Sequence, residues 1–452
     1  MKKRFSALLL AALMTVGTLS GCGGSGSSGN SGSAAPAASG ASSGAEEWPA
    51  TTIQYVNINS ESMGGPKVQE MVKKFNETNG KNITVEFNFV SANYPEIATE
   101  VQSYLAAGQD VGVVQVGYAY INYFADNFPQ MQDINNVIST YFPEDANFLS
   151  ETYGDAVLNL GYALNGNLAG LAYGMSTPIL FFNADMCREA GLDVDNPPKT
   201  WQEVGEWSRA IKSATGNYGF AIQNPSDTYS IIPMFLSSGK DAVIAENNGV
   251  YTADLYSDDT VAGWTLLQDM TKEGLHIQTT LDEAVAAFAG GQIGMMLTTS
   301  GRAAYFKNNC SFDVQSCMQP TFEGHDLKVC IGGNIMSIIA QDEAKIKASW
   351  EFMKYVLQPE NIGIWCEATG YLPPTKNSES DPAIQAILDG NHLMAAAVAE
   401  RDYAAQWTSW PGKNGLQVDQ YLVNMRDAIM ANGEDVATAI KNAESSINDL
   451  LK

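Results

Sequence analysis

Between Thr51 and Gly117 the hydrophobic period of the chain changes four times, and no other feature constrains the fold as much. TTIQYVNIN alternates as a strand does; Val68, Met71, Val72 and Phe75 then recur at helical spacing; NITVEFNFV alternates again; Ile97, Val101 and Leu105 mark a second helix; VGVVQVG is a short buried strand. Strand, helix, strand, helix, strand at this spacing implies crossovers that return each strand parallel to the last, hence an α/β class with a parallel sheet. Ligands of such sheets lie beyond the carboxyl ends of the strands. Tyr94 and Tyr118, standing just past the second and third strands, are therefore candidate binding residues.

The same style continues downstream. LAGLAYG and PILFFNA are strand-like, with Ser176-Thr177-Pro178 between them, and Thr200 to Glu203 is a capping box that opens a helix. A helix carrying Ala287 and Phe288 stops at Gly290-Gly291 ahead of the buried strand IGMMLTT. Ile346, Trp350, Met353 and Leu357 form an amphipathic stripe closed by Pro359, and Val436 to Leu451 another at the C-terminus. In WCEATGYLPPT, Gly370 ends a helix and Pro373-Pro374 bars its resumption, so Tyr371 is held between a stop and a rigid strut. There is no fixed-period repeat, which excludes a solenoid. At 452 residues, 45% hydrophobic, the chain is long enough for its core to divide in two.

With 25 basic against 50 acidic residues the net charge is −25, and no basic patch is present to hold nucleic acid or an anionic membrane. The N-terminus reads as an export signal: MKKRF is a positive segment, SALLLAALMTVGT an apolar one too short to prefer spanning a membrane, and Leu19-Ser20-Gly21-Cys22 resembles the bacterial lipobox. The expectation is a signal peptide over 1–21, acylation of Cys22, and a flexible Gly/Ser/Ala tether over 22–47 that anchors the protein at the outer face of the cell membrane. Gly24 to Gly29 matches G-x-G-x-x-G, but without a strand before it or a helix after it the match carries no cofactor.

Five further cysteines contain no C-x-x-C, and Cys310 and Cys317 either pair or remain thiols. His276, His325 and His392 lack metal-ligand spacing, and no nucleophile elbow or phosphate loop occurs in the folded part. No catalytic residue, metal or cofactor is expected. A carboxylate pair of a surface carbohydrate-active enzyme is the rival reading, since that chemistry needs only two acids. An exported chain rich in aromatics and poor in reactive groups suits binding better than turnover.

Three segments carry a family likeness: STPILFFNADMCREAGLDVDNPPKTWQEV, AFAGGQIGMMLTTSG, and IGGNIMSIIAQDEAKIKASWEFMKYVLQPENIGIWCEATGYLPPT. They resemble the family 1 extracellular solute-binding proteins of ABC importers, and most closely the members that take sn-glycerol-3-phosphate. The resemblance implies a two-lobed, periplasmic-binding-protein-like (type II) fold with a hinge between the lobes. Lobe 1 would comprise 48–176 and 320–358, and lobe 2 would comprise 177–319 and 359–452. It further implies a monomer that closes on a small solute and docks on the importer's membrane subunits.

Carried over by motif, Tyr371 reaches the solute, Tyr94 lies in the cleft and Ser176 sits beside the hinge. Ser300 supplies a hydroxyl, Gly332 and Gly333 allow close backbone approach, and Tyr229 aligns loosely with a tryptophan-containing stretch. Two departures follow. Tyr118 stands where the glycerol-3-phosphate binders have an acid, and AAQWTSWPG, with Trp407 and Trp410, stands where they have an arginine. Losing that fork favours stacking on a neutral carbohydrate or polyol over an anion, with sn-glycerol-3-phosphate or a glycerophosphodiester as the alternative ligand.

Overall fold

Strands β1 (Thr51–Asn57), β2 (Ile83–Phe89) and β3 (Gly112–Gly117) form where the alternation places them and pair in parallel, with β1 in the middle. This is a computed structural model that describes residues 48–91, 93–223 and 228–452; the leader at 1–21, Cys22, the tether and the Gly24 to Gly29 motif lie outside them. Helix Gly65–Thr78 packs on β2 with Val68, Met71, Val72 and Phe75 buried. Each of those side chains contributes about 1.5–3 kcal/mol of burial.

The sheet is not wholly parallel. β4 (Leu171–Ser176) and β11 (Val329–Ile339) enter it as an antiparallel pair, β11 running antiparallel to β3 as well, and β12 (Ala404–Gln406) adds to the edge of β11 in parallel. β11 arrives from another sheet rather than through a helical crossover, so the handedness rule that governs β1 to β3 does not set its direction. All eleven of its residues are buried.

That other sheet has the order β10-β5-β9-β6 and is built from β5 (Pro178–Asn183), β6 (Tyr218–Ile222), β9 (Ile293–Thr299) and β10 (Val314–Met318). A separate hairpin joins β7 (Ile244–Asn247) to β8 (Val250–Ala253). Helix Trp201–Thr215, opened by the expected Thr200/Glu203 capping box, covers β6 and β9. A single residue, Thr177, separates β4 in the first sheet from β5 in the second, and residues 319–328 lead back from β10 to β11. A third passage runs from helix Ala395–Ala399, which packs on β10, through Glu400 to β12. Pro359 starts a new helix, Pro359–Thr369, that ends at Gly370 and rests on helices Gly65–Thr78 and Ala303–Asn309.

Candidate ligand-binding site

The carboxyl ends of both sheets open onto one small cavity. From the first sheet come Ile58 and Met63, just past β1, and Tyr94, just past β2; from the second come Gln223 past β6 and Thr299 and Arg302 at the end of β9. Ser176, Tyr229, Leu281, Gly333, Tyr371 and Trp407 complete the lining. The cavity measures about 40 Å³, room for about one to three waters. A sugar-sized solute therefore enters only if the walls part.

One wall is aromatic. Tyr229 packs on Trp407 with ring centroids 5.1 Å apart, and Tyr94, Tyr120 and Trp407 form a triangle of tilted and edge contacts at 6.2–6.3 Å. Tyr94 is fixed from behind because Asn334 Nδ2 donates to its hydroxyl at 3.1 Å. Trp407 is fixed by a relay: its Nε1 donates to Thr228 Oγ1 at 3.1 Å, and that hydroxyl donates to buried Asp419 Oδ1 at 3.4 Å. Tyr371 stacks on Trp365, which stacks in turn on Tyr173, and its backbone amide donates to Thr369 Oγ1.

Glycines make this wall possible. A Cβ at Gly332 would stand 2.1 Å from Tyr229 Cε2, so the ring lies directly on the strand. Gly333 has φ of 111°, and a Cβ there would meet Gly174 O at 2.1 Å. Ser176 Oγ and the Tyr229 hydroxyl lie 3.4 Å apart. Burial holds the Tyr229 phenol well above its ordinary pKa, so it stays protonated and able to donate.

The other wall is polar. Gln223 Oε1 accepts from Thr298 Oγ1 and from Thr299 N, leaving the amide face set by the strand end. Arg302 is 2% exposed, and burial lowers its pKa while Asp282 opposes the shift. A solvent-open recess of about 1390 Å³ adjoins the cavity through Leu281. Its charged residues are Glu61, Glu96, Asp282, Glu283 and Asp427 against Arg426.

Of the residues singled out in the sequence, Tyr94, Ser176, Tyr229, Gly333, Tyr371 and Trp407 meet at the cavity, and Gly332 seats one of its rings. Three others stand away from the lining. Tyr118 is buried with its hydroxyl lacking a hydrogen bond, and burial, with Tyr371 nearby, drives its phenol far above the usual range. Ser300 clamps the β4–β5 junction: its backbone amide donates to Thr177 O at 2.8 Å and its Oγ accepts from Thr177 N at 3.3 Å. Trp410 packs in the core beside Gly415, its Nε1 without a partner. Gln223, Thr299 and Arg302 escaped the sequence reading. The rule that found Tyr94 and Tyr118, applied to the ends of YGFAI and IGMMLTT, points to Gln223 and Thr299. Cys310 and Cys317 are free thiols, as are the other three described cysteines.

The family model for bacterial extracellular solute-binding proteins matches residues 70–389. The chain is 28% identical over 281 residues to the sn-glycerol-3-phosphate-binding periplasmic protein UgpB of Pectobacterium atrosepticum, covering 54% of this chain and 63% of that one. It is 28% identical over 295 residues to UgpB of Yersinia enterocolitica, covering 63% and 66%. The match thus spans just under two thirds of the length of these relatives. Among solved structures, UgpB of Mycobacterium tuberculosis in complex with glycerophosphocholine superposes with a TM-score of 0.75 at 20% identity, over 89% of this chain and 98% of that one. Maltose-bound T. maritima MalE3 gives 0.75 at 18%, over 88% and 99%. These neighbours share the type II periplasmic-binding-protein fold with this chain.

Proposed function

Since this chain belongs to the bacterial extracellular solute-binding proteins, we propose that it captures a carbohydrate or polyol outside the cytoplasm and delivers it to the membrane subunits of an ABC importer. In this reading it is a receptor rather than an enzyme, works as a monomer and is tethered through Cys22. The observation that carries the ligand class is the meeting of aromatic and polar groups in one cavity lining. Tyr94, Tyr229, Tyr371 and Trp407 offer π faces to sugar C–H groups, while Ser176, Gln223 and Thr299 are placed to orient hydroxyls. The two sheets act as the two lobes, parting about Thr177 and 319–328 to admit the solute.

A second reading, sn-glycerol-3-phosphate or a glycerophosphodiester, draws support from Arg302. The arginine expected to be missing from the site has a counterpart elsewhere in the cavity lining. The curated relatives are named for sn-glycerol-3-phosphate, and a structural neighbour holds glycerophosphocholine.

Thermal shift of the domain from Trp48 onward, followed by calorimetry, separates the two. Stabilisation that grows with the concentration of a neutral sugar or polyol supports the first reading. Stabilisation by glycerol-3-phosphate or glycerophosphocholine alone, competed by inorganic phosphate, replaces it with the second. No shift with any of these solutes overturns both.

A further inference from the structure

Three passages of the chain between the two sheets meet at one buried carboxyl group. Thr177 is the whole of the first passage, between β4 and β5; Gln319 opens the second, just past β10; and Glu400 lies in the third, ahead of β12. Glu400 is fully buried. Its Oε1 accepts from the Gln319 backbone amide at 2.5 Å. Its Oε2 has no well-aligned hydrogen bond, and the Thr177 hydroxyl, equally without one, is the polar side chain that faces it. Thr177 is in turn clamped by Ser300 from the end of β9.

We propose that Glu400 is a positioning residue whose protonated carboxyl pins the three passages together, so that its ionisation loosens the joint between the sheets. In the neutral form the acid proton sits on Oε2 and is donated to Thr177 Oγ1, while Oε1 keeps the Gln319 amide. Glu400 Oε2 and the Thr177 hydroxyl oxygen, both otherwise without a partner, are then engaged. In the ionised form a full negative charge is buried with one amide and one hydroxyl for company.

The other titratable groups that face it from neighbouring elements, among the described residues, are the Cys317 thiol on β10 and the Tyr229 phenol. Burial raises both, so both stay neutral and neither offsets a carboxylate. Arg401, next in sequence, turns instead to Glu379 at 3.0 Å. Burial accordingly pushes the Glu400 carboxyl up to about 8.

The sign of the linkage follows. The folded state holds this proton more tightly than the unfolded chain, so the stabilisation is complete below the ordinary carboxylate range and is lost as pH rises through about 8. Where the proposed receptor function holds, ligand affinity falls over the same window, because the closed arrangement is the one the pin favours.

The test compares the wild-type mature domain with Glu400→Gln, whose amide keeps the neutral hydrogen-bonding pattern, by thermal unfolding without ligand from pH 5 to 9. The expected result is a wild-type Tm that falls by a few degrees toward pH 9 relative to the variant. Identical pH profiles overturn the proposal. If the variant does not fold, side-chain carboxyl NMR of the wild-type protein decides instead: a glutamate titrating near 8 upholds the pin, and all glutamates titrating in the ordinary range overturn it. Both readouts are taken on the free protein, so they stand or fall independently of the ligand assignment. Calorimetry of a solute found by the screen above, at pH 6 and pH 9, then reads the coupling to binding.

Discussion

The two walls of the cavity are built on opposite plans. One wall is made of rings: Trp407 meets Tyr94 edge to face and Tyr229 at a tilt, backed by the Trp407–Thr228–Asp419 relay, with Tyr229 seated on Gly332 of the first sheet. The wall on the second sheet is made of strand ends: Gln223, Thr299 and Arg302 present single polar groups whose orientation is set by a few hydrogen bonds. Rings supply area and little directional preference, whereas amides, hydroxyls and guanidinium supply direction and little area. In the proposed receptor role, the rings hold the solute by its faces and the polar groups read its oxygens.

The comparison can be broken first at its backbone. Gly333→Ala forces a Cβ to within 2.1 Å of a carbonyl oxygen at a φ of 111°. It should cost at least about 3 kcal/mol of stability, and a chemical-denaturation midpoint equal to wild type would refute the close-packed account of the first wall.

Trp407→Ala removes the ring on which Tyr94 and Tyr229 rest, and should weaken solute binding about 100-fold, or ~2.7 kcal/mol; a loss under about threefold by calorimetry would mean that this wall only encloses the site.

Arg302→Met sharpens the contrast between walls. For a neutral sugar the expected loss is about tenfold, whereas an anionic ligand bound by a charge-assisted pair should lose about 100-fold or more. Calorimetry on the two ligand types reads the difference.

Tyr118→Phe should do least. Its hydroxyl is buried and without a hydrogen bond, so removing it should leave stability within about 0.5 kcal/mol of wild type, in the favourable direction. A clear drop in Tm or affinity would place that hydroxyl in the site after all.

Much of this architecture is legible in the sequence because its signals are local. β1, β2, β3, β5 and β9 fall where alternation or apolar runs mark them, and the Thr200/Glu203 box and Gly370 sit where capping chemistry predicts. What local pattern does not contain is direction. The antiparallel entry of β11 depends on a chain returning from another sheet, which no window of residues encodes.

The site divides in the same way. Tyr371 is identified by the stop and strut around it, and it lines the cavity. Ser300 and Thr299 show the limit: adjacent residues at a strand end face opposite ways, so a shift of one position turns a wall residue into a clamp on Thr177. Arg302 was hidden for another reason. A lone arginine ahead of a helix looks like surface, and only the tertiary fold buries it.

The acidic recess beside the cavity bears on speed rather than strength. A solute approaching past Glu61, Glu96, Asp282, Glu283 and Asp427 crosses a region of negative potential before it reaches the cavity. Such a field changes the rate of arrival more than the rate of escape, and salt erases it over about 8–10 Å. Added salt should therefore hasten the capture of an anion, slow that of a cation and leave a neutral sugar unaffected, so that stopped-flow traces at two ionic strengths report the charge of the solute.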